Sequence, residues 1–346
     1  MKKLICLLCV VMLLVPALSV CAQEGMRTFT DSLGREVQVP EKIERIAVTG
    51  SIGKITVFAI GHDLLVGIPE PWDDREKQYI APEYHDMAVL GQVYGGKGQL
   101  NLEELLMAAP QVVIDIGEPK AGVAEDMDNL QEQTGIPWVH VSAYLESMDH
   151  TYEKLGELLG REEEGKILAD YCRQTYDDVV ALAENAEKVN LLYVLGDKGL
   201  NVLARGSFHG AVIDLMANNL AVVENPLSKG TGNEVDMEQI LNWNPDVVIF
   251  APESIYAAVQ DDPIWQSIAA IQNGTYYEVP VGPFNYMGLP PSSQRLLGLM
   301  WMGKLFYPEQ AQYDMQQALT EYYKLFYHHD LTQEQYAALM QNSLLK

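Results

Sequence analysis

Apolar and polar positions along the chain change period several times, and one pattern occurs twice. In NLEELLMAAPQVVI, residues 101–114, apolar residues fall at helical spacing and then run together after a proline. The same order returns in DMEQILNWNPDVVI, residues 236–249, with Glu, Leu, Pro, Val, Val and Ile in matching places. In each copy a polar residue, Asn101 or Asp236, stands at the N-cap position, and Leu102, Leu105 and Leu106 or Met237, Ile240 and Leu241 mark a short amphipathic helix. Pro110 and Pro245 end those helices, because proline has no amide to donate and disfavours helical geometry in the residue before it. The all-apolar runs that follow predict strands covered on both faces, as in a parallel α/β sheet.

The echo extends outward from this unit. Arg45–Val48 and Asn190–Val194 open the two halves as buried strands, Gly61–Val66 and Asn218–Val223 read as a helix end plus strand, and Gly135–Val141 and Asn273–Val279 close each half with a turn and a strand. Between the halves, Ile167, Leu168, Tyr171, Cys172, Thr175, Val179, Leu182 and Ala183 recur at three- and four-residue spacing, which predicts one long helix. At 1.5 Å per residue it would run roughly 37 Å, a stiff spine along both halves. Three further helical patterns close the chain, the last with Thr332 and Gln335 in capping-box spacing. The expected fold is α/β, two Rossmann-like lobes with mostly parallel sheets joined by one backbone helix: an N-terminal lobe over 23–160, the helix over 161–188, and a C-terminal lobe with closing helices over 189–346.

Residues 1–22 read differently. Two lysines precede an apolar run from Leu4 to Val15 that is shorter than the ~20 residues a membrane span needs, so the segment is an export signal rather than an anchor. Val20-Cys21-Ala22 fits a peptidase site before Gln23, whereas Leu18-Ser19-Val20-Cys21 resembles a lipobox that would lipidate Cys21. The second reading is preferred. Losing Lys2 and Lys3 moves the formal charge from −25 to −27, which repels nucleic-acid backbones. With 48% hydrophobic and 21% charged residues and a mean hydropathy near zero, the rest of the chain is neither disordered nor a multi-span membrane protein. Cys172 and Cys21 are too few for an internal disulfide framework.

No G-x-S-x-G, H-E-x-x-H or C-x-x-C motif occurs beyond the export segment. Gly91–Gly98 comes within one residue of a phosphate-binding P-loop, but Gly98 replaces the Ser or Thr that would hold magnesium. The seven histidines lack metal-ligand spacing, and no cofactor is expected. Candidate binding residues lie instead on loops leaving the carboxyl ends of strands, where parallel α/β sheets gather ligands. Ser51, Gly53 and Lys54 open a helix directly after a strand and could meet an anion, although Ser51 is equally read as a simple N-cap. Arg205, Ser207 and His209 stand in a turn before AVIDLM, and Arg295 follows the last loop. Trp72, Tyr94, Phe284 and Tyr286 are loop aromatics able to stack on a flat chelate, whereas Trp243 and Trp301 fall in core patterns.

Taken in order, FTDSLGREVQVPEKIERIAV, the doubled helix-proline-strand unit and VPVGPFNYMGLPPSSQRLLGLMWMGKLFYPE resemble the ABC-importer substrate-binding proteins that deliver iron-siderophores, haem and cobalamin. The resemblance covers about residues 28–310. It implies a metal chelate held between the lobes of a monomer outside the cytoplasm and delivered to a membrane permease. It also implies a docking glutamate on each lobe, carried here by Glu103 and Glu238, with Glu104 a neighbouring rival. Gln111, where Asp246 suggests an aspartate, and Gly95–Gly98 depart from the family pattern. Molybdate or tungstate is the alternative ligand. A free-metal receptor using His62, His140 and His209, or a chelatase-like enzyme, stands behind both.

Overall fold

The computed structural model describes residues 25–94, 99–184 and 186–343, so the export segment, Cys21 and the 95–98 stretch lie outside the described residues. The chain opens with an antiparallel hairpin, β1 (Met26–Thr30) and β2 (Glu36–Pro40), whose inner face carries Phe29, Val37 and Val39. Asp31 Oδ1 accepts from the amides of Leu33 and Arg35 to shape the turn, and Gly34 takes the left-handed conformation there (φ +79°).

The first sheet follows: β3 (Ile46–Val48), α1 (Ser51–Gly61), α2 (Leu102–Ala108), β4 (Val112–Gly117), α3 (Val123–Thr134) and β5 (Trp138–Ser142). Its strands run parallel in the order β3-β4-β5, and Leu65 adds a parallel bridge to Ile46. Then come α4 (Met148–Leu159) and the long α5 (Glu162–Glu184). The second half comprises β6 (Asn190–Leu195), β7 (Asn201–Val202), α6 (Ala211–Met216), β8 (Asn218–Asn219), β9 (Asn233–Glu234), α7 (Met237–Trp243), β10 (Val247–Phe250), α8 (Ala269–Asn273) and β11 (Tyr276–Glu278). Here β8, β6, β10 and β11 pair in parallel, as their first-half counterparts do, while β7 and β9 add an antiparallel edge.

The duplicated unit is present in both sheets. Asn101 Oδ1 accepts from the amides of Glu103 and Glu104, and Asp236 Oδ1 from that of Gln239, so each side chain satisfies amides the first helical turn leaves unpaired. Both helices end on a left-handed residue directly before the proline, Ala109 (φ +45°) and Asn244 (φ +41°). β4 then sits at the centre of its sheet and β10 inside its own, between β11 and β6, both buried throughout.

α5 packs against α4, α6 and α9 (Arg295–Phe306), burying Leu168, Cys172, Val179 and Ala183. Ile167, expected on that face, is 56% exposed. Where α4 meets α5 the approach is so close that a Cβ on Gly165 would stand 2.7 Å from the Tyr152 carbonyl oxygen. The chain ends with α10 (Met315–Phe326) and α11 (Gln333–Met340), the latter with the expected capping box. α10 packs on α1 of the first lobe as well as on α9. Its tyrosines fill the joint: Ser293 Oγ links the hydroxyls of Tyr152 and Tyr322, and Tyr286 bonds Tyr323 at 3.0 Å. A single apolar cluster therefore runs through both lobes, which makes the joint stiff. Among the described residues no helix is long and apolar enough to cross a membrane.

Candidate functional site

The carboxyl ends of both sheets face a cleft made of two connected cavities, of about 810 and 620 Å³, which share Gly230, Thr231, Leu289 and Pro290. In the larger one the first lobe contributes Thr49, Ser51, Tyr94, Asp115 and Lys120, and the second contributes Phe208, His209, Ser228 and Lys229. Ile52, Ile116, Leu289, Pro290 and Pro291 add apolar surface. Backbone geometry places these groups: α1 starts two residues after Thr49, and Ser207 Oγ accepts from the Gly210 amide, fixing the turn that carries Phe208 and His209.

His209 is 9% exposed, and its Nδ1 has no hydrogen-bond partner. Burial holds its imidazole well below its ordinary value, at about 4, with the nearby charges of Arg295 and Lys120 acting the same way. At neutral pH it is an uncharged ring with acceptor capacity. Arg295 is fully buried behind it. Its guanidinium reaches Phe208 O (3.3 Å), Ala143 O and Ser292 O (3.4 Å each) and lies 4.8 Å from the Phe208 ring centre. Loss of solvation lowers its pKa to about 10, opposed by the more distant Glu146. The cation touches both lobes, since Ala143 follows β5 and Phe208 belongs to the second half, yet among the described residues no carboxylate comes within 4 Å of it.

The smaller cavity is edged by Glu70, Arg75, Glu76, Glu253, Asn201 and Phe284. Arg75 and Glu253 stand 3.8 Å apart across the cleft, joining the lobes. Glu70 accepts from Ser51 Oγ (2.6 Å) and from Gln92 (2.9 Å). Beneath it Lys54 is fully buried, 3.3 Å from Glu76 and 3.6 Å from Glu70, with its ammonium 4.3 Å from the Trp72 ring centre. Burial raises the Glu76 pKa, and Lys54 opposes the shift.

The sequence candidates thus scatter. Ser51, Tyr94 and His209 reach the larger cavity and Phe284 the smaller. Ser51 is the first helical residue and Gly50 the N-cap, so Ser51 does not cap α1. Lys54 is committed to its carboxylates, and Trp72, 2% exposed, donates from its indole to the Tyr84 carbonyl. Tyr286 is in the core. Arg205 turns back onto Asn219 O and Asn218 Oδ1, and Ser207 is occupied in its turn. His62 is partly buried and lies 4.2 Å from His328 between ring centres. His140 bonds Asp115, and no group of three or more His, Cys, Asp or Glu able to hold a metal occurs among the described residues. Glu103, Glu104 and Glu238 are exposed on the first turns of α2 and α7. Sequence reasoning did not single out Asp115, although it is the only charged residue in an otherwise apolar strand.

Two α/β lobes, a helical spine and a cleft at the strand ends define a bilobal solute receptor. The sequence profile of the periplasmic binding protein family matches residues 55–281, well over half of the chain, and the chain belongs to that family. Among solved structures, an ABC transporter solute-binding protein from Sulfurospirillum deleyianum is similar at 26% identity and a TM-score of 0.82, over 91% of this chain and 99% of that one. The molybdate periplasmic binding protein MolA of Haemophilus influenzae shares the fold at 23% identity and a TM-score of 0.70, over 88% and 99%. The catecholate-siderophore binding protein VctP of Vibrio cholerae does so at 16% and 0.59, over 80% and 98%. A comparison with curated proteins returned no match.

Proposed function

We propose that this protein is the extracytoplasmic receptor of an ABC importer and that its cargo is a metal chelate of the iron-siderophore, haem or cobalamin type, held between the lobes. The observation that carries this reading is the larger cavity. At about 810 Å³ it falls in the range of sites for organic ligands, far above what a lone tetrahedral anion fills. It combines apolar walls with Lys229, the neutral His209, Asp115 and the Lys120–Glu118 pair, a lining suited to an organic shell bearing polar groups of both kinds. Delivery would use Glu103 and Glu238 to seat the two lobes on the permease, and lipidation at Cys21 would keep the receptor at the membrane. The family and the similar structures are transport binding proteins, consistent with binding rather than turnover.

Molybdate or tungstate is the second reading, favoured by one observation: between the lobes the buried Arg295 meets backbone carbonyls and the Phe208 ring, with no carboxylate within 4 Å among the described residues. Thermal-shift and calorimetric titration with ferric catecholate and hydroxamate chelates, haem, cyanocobalamin and molybdate separates the two. The chelate reading expects at least one chelate to raise the melting temperature, with no response to molybdate. A response to molybdate alone would replace it.

A further inference from the structure

Asp115 stands near the carboxyl end of β4, in the wall of the larger cavity, with its side chain 10% exposed. Two donors hold it: Thr49 through its hydroxyl to Oδ1, and His140 Nδ1 to Oδ2 at 2.7 Å. His140 Nε2 is buried without a hydrogen-bond partner, so the ring's one polar contact is the bond to Asp115. The two bonds fix the orientation of the carboxylate. Among the described residues no Lys or Arg lies within 4 Å of it. Tyr94, in the same cavity wall, donates to Asp126 instead.

Burying a carboxylate is costly, and the fold does not need one at this place. Sheet register makes the point: Asp115 lies opposite His140 on β5, while the matching residue of the second copy, Phe250, lies between Val194 on β6 and Glu278 on β11. Phe250 is fully buried against Tyr256, Trp265 and Tyr276. The same strand position thus serves its sheet with a phenyl ring.

We infer that Asp115 is a direct recognition point for the cargo, an acceptor that selects a chelate presenting a protonated amine, a hydroxyl or a metal-bound water to the first lobe. The assignment rests on the chelate reading of the cleft, and it narrows the cargo to one that turns a donor group toward the first lobe. A molybdate or tungstate ion at this wall would meet a carboxylate of its own sign.

The test is D115N. Its amide oxygen can still accept from His140 and its amide nitrogen can donate to Thr49 Oγ1, so the local tie survives while the charge goes. Cargo-free D115N is expected to melt at or above the wild-type temperature. With ferrioxamine B, a ferric chelate carrying a free ammonium arm, and its N-acetylated form as probes, D115N should bind the ammonium form at least tenfold more weakly than wild type and discriminate less between the two. Molybdate affinity should be equal or higher in D115N. A melting temperature lowered by several degrees would make Asp115 a structural tie and overturn the inference, as would unchanged affinity for the ammonium chelate bound by wild type. Molybdate as the sole ligand of wild type would defeat the chelate reading separately, and reduced molybdate affinity in D115N would then defeat the charge argument too.

Discussion

Asp115 and Phe250 hold one place in two sheets and meet opposite surroundings. Around Asp115 the neighbouring strands supply Thr49 and His140, and the side chain borders the cleft. Around Phe250 there are Val194 on one strand, Glu278 on the other, and a cage of Tyr256, Trp265 and Tyr276. The helix, cap, proline and strand are common property of the two lobes, whereas the chemistry at the strand end is not. A duplicated scaffold carries the architecture, and one copy is free to spend a core position on recognition.

The largest expected effect comes from forcing the first lobe's chemistry on the second. Phe250→Asp would bury a charge in an aromatic cage, costing roughly 4 kcal/mol or more, read as a lower urea midpoint. A loss under 1 kcal/mol would mean that the cage tolerates a charge and that the contrast with Asp115 is superficial.

Acid sensitivity is next, and it belongs to the second lobe's side of the cleft. His209 is held at about 4 in the folded protein, below the ~6.5 of an unperturbed imidazole. As pH falls below that ordinary value the unfolded chain takes up the proton first, so stability is lost between about pH 6.5 and 4 and no further below. The loss is on the order of 3 kcal/mol, and His209→Gln should remove that part of the acid limb in a pH series of denaturant melts. An unchanged limb would place the acid sensitivity elsewhere.

If the two copies also serve alike at their exposed helix starts, Glu103→Lys and Glu238→Lys should each reduce uptake by about tenfold or more, with cargo affinity unchanged. Loss in only one of the two would make the docking one-sided, and normal transport in both would remove the assignment. The smallest effect is at the spine. Burial pushes the Cys172 thiol up, so it should resist alkylation in the native protein and react only on unfolding.

Much of this architecture was legible because it is local. The doubled unit, its Asn101 and Asp236 caps, the long helix and the Thr332–Gln335 capping box all follow from periodicity and short-range bonding. What escaped depends on distant partners. Tyr286 reads as a loop aromatic, but Tyr323, from a helix 37 residues on, buries it. Lys54 reads as a cation at a helix start, and its fate is decided by Glu70 and Glu76 on the next loop. Asp115 was obscured by its own strand: in VVIDIG the apolar neighbours imply simple burial, and only the cavity shows what the carboxylate borders.

The most direct measurement is native mass spectrometry, with metal analysis, of the receptor purified from its own host. The account predicts one bound species per chain whose mass exceeds that of its metal by an organic shell, released when the protein unfolds. A bare oxyanion or an uncomplexed metal ion as the bound species would contradict it.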